Sequence, residues 1–161
     1  MMDLKFREAK KSDIPILAAI RAAEWETEEY WIRRIAGYRN KLLNPQMARS
    51  SRIIYVATDA DRIIGFIAGH LTKRLDCEGE LQWINIIPAY RKKGIAAELI
   101  RLLAAWFVRK KALKICIDPG DQSSRLYYIK KGAENLNEHW LYWKDVRVVL
   151  DDHERSVNSQ A

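Results

Sequence analysis

Residues 81–87 read LQWINII, and PAYRKKGIAAELIRLLAAWF follows directly over 88–107. The first stretch is apolar and β-branched, which predicts a strand, and Pro88 ends it. The second places Ile95, Leu99, Leu102, Leu103 and Trp106 on one helical stripe, with Glu98, Arg101 and Arg109 opposite. Between strand and helix stand Arg91, Lys92, Lys93 and Gly94. A helix start leaves backbone N–H groups unpaired and carries the positive end of the helix dipole. Glycine removes the side chain that would hold a ligand away, and Ala96 keeps the approach small. Arg91, Lys92, Lys93, Gly94, Ile95 and Ala96 therefore frame a loop suited to a phosphate.

The rest of the chain supplies a sheet for that helix to cover. Residues 4–9 alternate as a first strand. Residues 12–25 open on Ser12 or Asp13 as cap with a proline in the first turn, and 28–43 continue at helical spacing until Asn44 and Pro45 stop them. RIIYVAT (52–58) and RIIGFIAGHL (62–71), parted by DAD, predict a hairpin, and CEGELQWINII (77–87) adds a third strand. LKICID (113–118) reads as a short buried strand. DQSSRLYYIKKG (121–132) reads as a helix with Asp121 at its start and Gly132 at its end, and HWLYWKDV (139–146) as a closing strand. The order predicts a mixed sheet with helices on its faces, one domain over 1–150 and a polar tail over 151–161.

Composition sets outer bounds. A chain of 161 residues, 48% hydrophobic and 30% charged, suits a single globular domain. It has no apolar run near the roughly 20 residues that cross a bilayer, and its first 13 residues lack a signal-peptide core, so a cytoplasmic location is the default expectation. Cys77 and Cys116 have no metal-type spacing and read as reduced structural thiols; no metal site is expected. A net charge of +7 attracts nucleic acid, acidic membrane or a phosphorylated cofactor alike. Placement decides, because only the Arg91 to Lys93 group precedes a glycine at a strand-to-helix junction.

The junction is neither a nucleoside-triphosphate loop, which needs G-x-x-x-x-G-K-[ST], nor a dinucleotide fingerprint, which needs two further glycines. Arg91, Gly94 and Ala96, with Pro88 and Tyr90 just before them, instead resemble the R/Q-x-x-G-x-G/A signature of the GNAT superfamily, the acyl-CoA-dependent N-acetyltransferases. LYYIKKGA (126–133) is similar to a second element of that family and puts Tyr128 at its tyrosine, four residues before Gly132. The resemblance covers roughly residues 4 to 146. Two positions depart from it: Asp121 stands where many members have asparagine, which puts a contact to the pantetheine arm in doubt, and Ala133 stands where an aromatic is usual.

The resemblance implies an α/β fold with a mixed, mostly antiparallel central sheet, helices on both faces and a splayed strand at the acyl-CoA site. It implies acetyl-CoA as co-substrate, its diphosphate on Arg91 to Ala96 and its pantetheine arm along a bulged Ile84, Asn85 and Ile86. A plain core strand over 81–87 is the alternative.

Acyl transfer to an amine poses two proton problems. A lysine-like amine, with a free pKa of about 10.4, arrives protonated and must lose that proton before it can attack. The departing thiolate then wants one. Glu80, eleven residues before Arg91, stands where histone-type family members carry their catalytic glutamate, and strict alternation would put it on one face with Gln82, Ile84 and Ile86. The alternatives are a strand-end charge and a water-based relay. Tyr128 is the candidate acid, since a phenol with a pKa of about 10 is protonated at neutral pH; the alternatives are a packing tyrosine and its neighbour Tyr127.

For the acceptor, EWETEEYW (24–31) sets four glutamates among three aromatics, which suits a cationic amine by charge and cation–π contact. Trp25, Glu26 and Glu28, with Trp83 opposite, are the candidate contacts; an acidic solvated helix end with core tryptophans is the competing reading. The expected partner is a small-molecule or peptide amine, with no nucleic acid or membrane partner and a homodimer as an option. Two other functions are carried forward: an inactive acyl-CoA sensor of the same fold, and a basic DNA-binding protein using residues 90–107 as a recognition helix.

Overall fold

The computed structural model describes residues 1–151, so all but the first residue of the expected polar tail lies outside it. The strands are β1 (Leu4–Glu8), β2 (Ala48–Asp59), β3 (Arg62–Thr72), β4 (Gly79–Ile86), β5 (Ile115–Ile117), β6 (Glu134–Asn135) and β7 (Leu141–Trp143). The α-helices bounded at both ends among the described residues are α1 (Ile14–Ala22), α2 (Glu28–Arg39), α3 (Ile95–Arg109) and α4 (Gln122–Lys130), and residues 147–151 are helical too. They form one seven-stranded sheet in the order β1-β2-β3-β4-β5-β7-β6. Every neighbouring pair is antiparallel except β4 and β5. Among the described residues no helix is long and apolar enough to cross a membrane.

Most elements sit where the sequence puts them. The DAD segment is a two-residue hairpin turn with positive φ at both Ala60 and Asp61, the twist that antiparallel strands favour. Two helices end earlier than expected, α1 at Ala22 and α2 at Arg39, with left-handed Glu26 and Lys41 in the segments beyond. The closing strand is also shorter than 139–146, and two-residue β6 pairs with its outer edge unannounced.

Two apolar layers hold the sheet. On one face α3 buries Ile95, Leu99, Ile100, Leu103, Trp106 and Phe107 against Ile64, Ile67, Leu81 and Ile115, and Tyr128 of α4 joins the same layer. On the other face Leu17 and Ala18 of α1 and Trp31, Ile35 and Tyr38 of α2 pack on Val56, Phe66, Ala68 and Trp83. Each large side chain so buried contributes about 1.5–3 kcal/mol. One hydrogen bond then fixes the junction after β4: Tyr90 donates its hydroxyl to Asp59 Oδ2 at 2.6 Å, tying the turn over 88–90 to the β2–β3 hairpin.

Candidate active site

The site begins where two strands part. β4 and β5 are paired only through Gly79–Leu81 and Ile115–Ile117, and β4 continues alone to Ile86 with β3 on its other edge. Its outer edge over Ile84, Asn85 and Ile86 thus faces a slot of about 550 Å³, walled by these residues, the loop at Tyr90 to Gly94, the first turn of α3 and the inner side of α4. The splay expected of this strand is present. Its irregularity lies earlier than expected: an extra residue, Gln82, falls between the pairs Gly69 with Leu81 and Ala68 with Trp83.

That extra residue resets the alternation. Leu81, Ile84 and Ile86 pack with α3, while Trp83 packs with α1 and α2. Glu80 faces His70 and α2 and does not share a face with Ile84 and Ile86, because strict alternation fails at Gln82.

One end of the slot is a tight loop that presents free amides. Lys92 and Gly94 are both left-handed, with φ of 61° and 82°, so the loop turns twice before α3 begins. The first hydrogen bond of α3 runs from Glu98 N to Gly94 O, which leaves the amides of Ile95, Ala96 and Ala97 without helical partners at the slot wall. Lys92, Gly94, Ile95 and Ala96 line the slot; Lys93 is exposed and does not. Arg91 lines it too, but its guanidinium is engaged: Nε donates to Ile86 O at 3.0 Å and an Nη meets Glu24 at 2.7 Å. The Asn85 side chain is engaged, donating to Glu24 and accepting from Arg21. Asp121 lines the far side as cap of α4, accepting from Ser124 N at 2.7 Å, and that bond holds its carboxyl below the usual range.

Near the fork lie the two candidate proton carriers. Glu80 is 4% exposed, and burial pushes its carboxyl up to about 7, against the pull of Arg74 and with the push of Asp118. Tyr128 is almost fully buried on the slot wall, and burial pushes its phenol well above the ordinary value, so it stays protonated. Asp118 is the first residue beyond the last β4–β5 pair, and its charge acts on both groups. His139 Nε2 lies 2.9 Å from Asp118 Oδ1.

The acceptor candidates fare differently. Trp83 is 7% exposed and stands in the core, edge-on to Trp31 and tilted against Tyr38, away from the slot lining. The guanidinium of Arg21 already lies 4.3 Å above Trp31 and 5.9 Å from Trp83, occupying the aromatic face that a substrate cation would want. Trp25 is 59% exposed against Tyr30, Glu26 borders a separate hollow with Arg33 and Arg34, and Glu28 sits exposed in the first turn of α2. None of the four lines the slot; Glu24, from the same segment, does. Sequence reasoning also passed over Arg74, His70, Asp118 and His139, which reach the fork through tertiary packing.

Residues 14–133 match the acetyltransferase (GNAT) family, and the chain belongs to it. No curated protein matches the sequence. Solved structures share its fold at low identity. PaiA N-acetyltransferase from Thermoplasma acidophilum, in complex with coenzyme A, is 17% identical with a TM-score of 0.65, over 89% of this chain and 99% of that one. A GNAT family acetyltransferase from Brucella melitensis, in complex with acetyl-CoA, is 20% identical with a TM-score of 0.61, over 86% of each chain. Spermidine N-acetyltransferase from Vibrio cholerae is 16% identical with a TM-score of 0.64, over 90% and 95%.

Proposed function

We propose that the protein is an N-acetyltransferase that moves the acetyl group of acetyl-CoA directly to a primary amine of a small molecule or peptide. The observation that carries this reading is the forked β4–β5 pair, with an amide cradle at one end of the slot and Glu80 at the fork. Acetyl-CoA supplies an acyl group on a thiol leaving group. The amides of Ile95, Ala96 and Ala97 and the side chain of Lys92 hold its diphosphate, and the free edge over Ile84 to Ile86 receives the amides of its arm.

Slot and base stand on opposite faces of the sheet. The thioester is held on the α3 and α4 side, while Glu80 faces α2, so the amine approaches from that second face and the two meet through the fork. Glu80, ionised above about pH 7, takes the amine proton directly or through one water. The neutral nitrogen forms its bond to the acyl carbon, and the C–S bond breaks with its electron pair on sulfur. Tyr128 gives the departing thiolate a proton, and the second N–H proton, released as the amide forms, restores the Tyr128 phenol. A backbone N–H on the free edge of β4 faces the carbonyl oxygen while it carries charge.

A recognition helix has less support, since α3 spends its apolar face on the sheet and a strand, not a helix, precedes its glycine. An amine panel offered with acetyl-CoA, read as free thiol, tests the reaction; coenzyme A titration tests binding separately. Expected is amine-dependent thiol release that falls about 10²- to 10⁴-fold in Glu80→Gln and less steeply in Tyr128→Phe, with coenzyme A binding kept in both. Turnover unchanged in both variants overturns the assigned roles, binding without turnover in the parent favours the sensor reading, and no heat with coenzyme A sinks the whole reading.

A further inference from the structure

His70 is wholly buried on β3, directly opposite Glu80 in the β3–β4 register. Tyr38 of α2 lays its ring edge-on to the imidazole and puts its hydroxyl 2.9 Å from Nδ1. A protonated phenol can donate or accept, so the direction follows the ring's tautomer. Glu80 Oε1, an acceptor when ionised, lies 3.8 Å from Nε2, which favours the ring proton there and makes the Tyr38 hydroxyl the donor to Nδ1. The proton of the neutral ring then belongs on Nε2. That nitrogen is buried, makes no hydrogen bond among the described residues, and has Glu80 Oε1 in front of it at 3.8 Å.

Three groups converge on the same carboxylate oxygen. Arg74 Nε is 2.9 Å from Glu80 Oε1, His70 Nε2 3.8 Å and Cys116 Sγ 4.0 Å. No described residue hydrogen-bonds to Oε2. We propose that His70, its tautomer held between Tyr38 and Glu80, is a positioning residue that with Arg74 anchors Oε1 of Glu80 and leaves Oε2 as the atom that takes the amine proton. This rests on the reading of Glu80 as base.

The imidazole is not itself the base. Burial, together with the cations of Arg52 and Arg74, pushes His70 down to about 3, so it stays neutral throughout the working range. What it offers is an N–H dipole aimed at a carboxylate, and that favours the ionised form. The other groups facing Glu80 are Arg74, which pulls its pKa down, Asp118, which pushes it up, and Cys116, whose buried thiol stays protonated. Tyr38 and Arg52 stand behind His70.

The test uses amides as half-histidines. In His70→Gln the side-chain amide N–H stands in for Nε2–H and keeps the contact to Glu80; in His70→Asn the amide stands nearer Nδ1, facing Tyr38, and the contact is lost. The readouts are the acidic limb of kcat/KM for the amine and the Glu80 carboxyl titration, followed by ¹³C resonance and assigned with Glu80→Gln. His70→Asn and Tyr38→Phe are expected to raise the Glu80 proton affinity about three- to tenfold, with His70→Gln returning it toward the parent and coenzyme A binding unmoved. An identical titration in all variants, or His70→Gln as displaced as His70→Asn, overturns the proposal. Should the variants not fold, the parent's ¹H–¹⁵N imidazole correlations decide it: a ring protonated on Nδ1 overturns it, one protonated on Nε2 supports it. If the carboxyl titration responds while Glu80→Gln keeps full turnover, His70 positions Glu80 and the base assignment alone is wrong.

Discussion

Glu24 and Arg91, 67 residues apart in the chain, meet at 2.7 Å across the mouth of the slot. The acid comes from the segment after α1 and the cation from the signature loop, and Asn85 of β4 bonds the same carboxylate. A diphosphate held by the neighbouring amides and Lys92, as proposed, would lie beside an Arg91 whose charge is already shared with an acid. Both partners are half-exposed, so the pair is weak, about 0.2–1 kcal/mol. Glu24→Gln is expected to tighten coenzyme A binding about two- to fivefold at low salt, with the gain shrinking as salt screens it. Calorimetric titration at two ionic strengths checks this, and weaker binding in the variant would contradict it.

Gly94 has a φ of 82°, and a Cβ built there would meet nothing within 4 Å. Crowding is therefore not the issue; the left-handed backbone is. Gly94→Ala should cost about 1–2 kcal/mol of stability and weaken coenzyme A binding as the loop relaxes, whereas Gly94→Asn should lose less. Thermal melts beside titrations separate the two effects. An alanine variant that melts and binds like the parent would remove the case for this turn.

Glu80 couples stability to pH with a definite sign. Its carboxyl sits near 7 in the fold against 4.5 when unperturbed, so the native state binds the proton more tightly than the unfolded chain. This contribution is fully present below about pH 4.5 and is lost as pH climbs to about 7, a change of about 1–3 kcal/mol. Unfolding of the parent and of Glu80→Gln at pH 5 and pH 8 should differ by that slope. Parallel curves would mean the carboxyl is solvated.

Trp83 separates packing from substrate contact. It lies buried between Trp31 and Tyr38, so Trp83→Ala should destabilise by about 3–5 kcal/mol. The milder Trp83→Phe, a smaller aromatic that leaves less of a cavity than alanine, should fold and leave the KM for the amine within about twofold. A large KM rise in a well-folded Trp83→Phe would restore it to the acceptor wall.

What the sequence made legible was local. The hairpin at Ala60 and Asp61, the glycine before α3 and the Asp121 cap of α4 each rest on a few adjacent residues, and each stands where local chemistry puts it. The misreadings cluster where long-range structure intervenes. Glu80 read as sharing a face with Ile84 and Ile86 because period-two counting cannot register the extra residue at Gln82. Trp83 read as a wall because its core partners Trp31 and Tyr38 lie far off in the chain. Glu80 drew attention through its spacing to Arg91, yet nothing near it in the chain announces Tyr38, 42 residues earlier, or the imidazole between them. Arg74 and Asp118 are ordinary charges in sequence, and only the folded sheet sets them beside a buried carboxylate.

The β4–β5 seam has a mechanical corollary. Three register pairs are all that join the β1–β4 ribbon to the β5–β7 ribbon within the sheet, while the β2–β3 junction runs nearly the full length of its strands. The β5–β7 pairing is as short and β6–β7 shorter, but the β4–β5 seam alone joins the two ribbons within the sheet, so they pivot on it under thermal load. Amide exchange should accordingly be fastest, among the interior strands, at Ile115, Cys116 and Ile117, and a ligand wedged in the fork should slow it by bracing both ribbons at once.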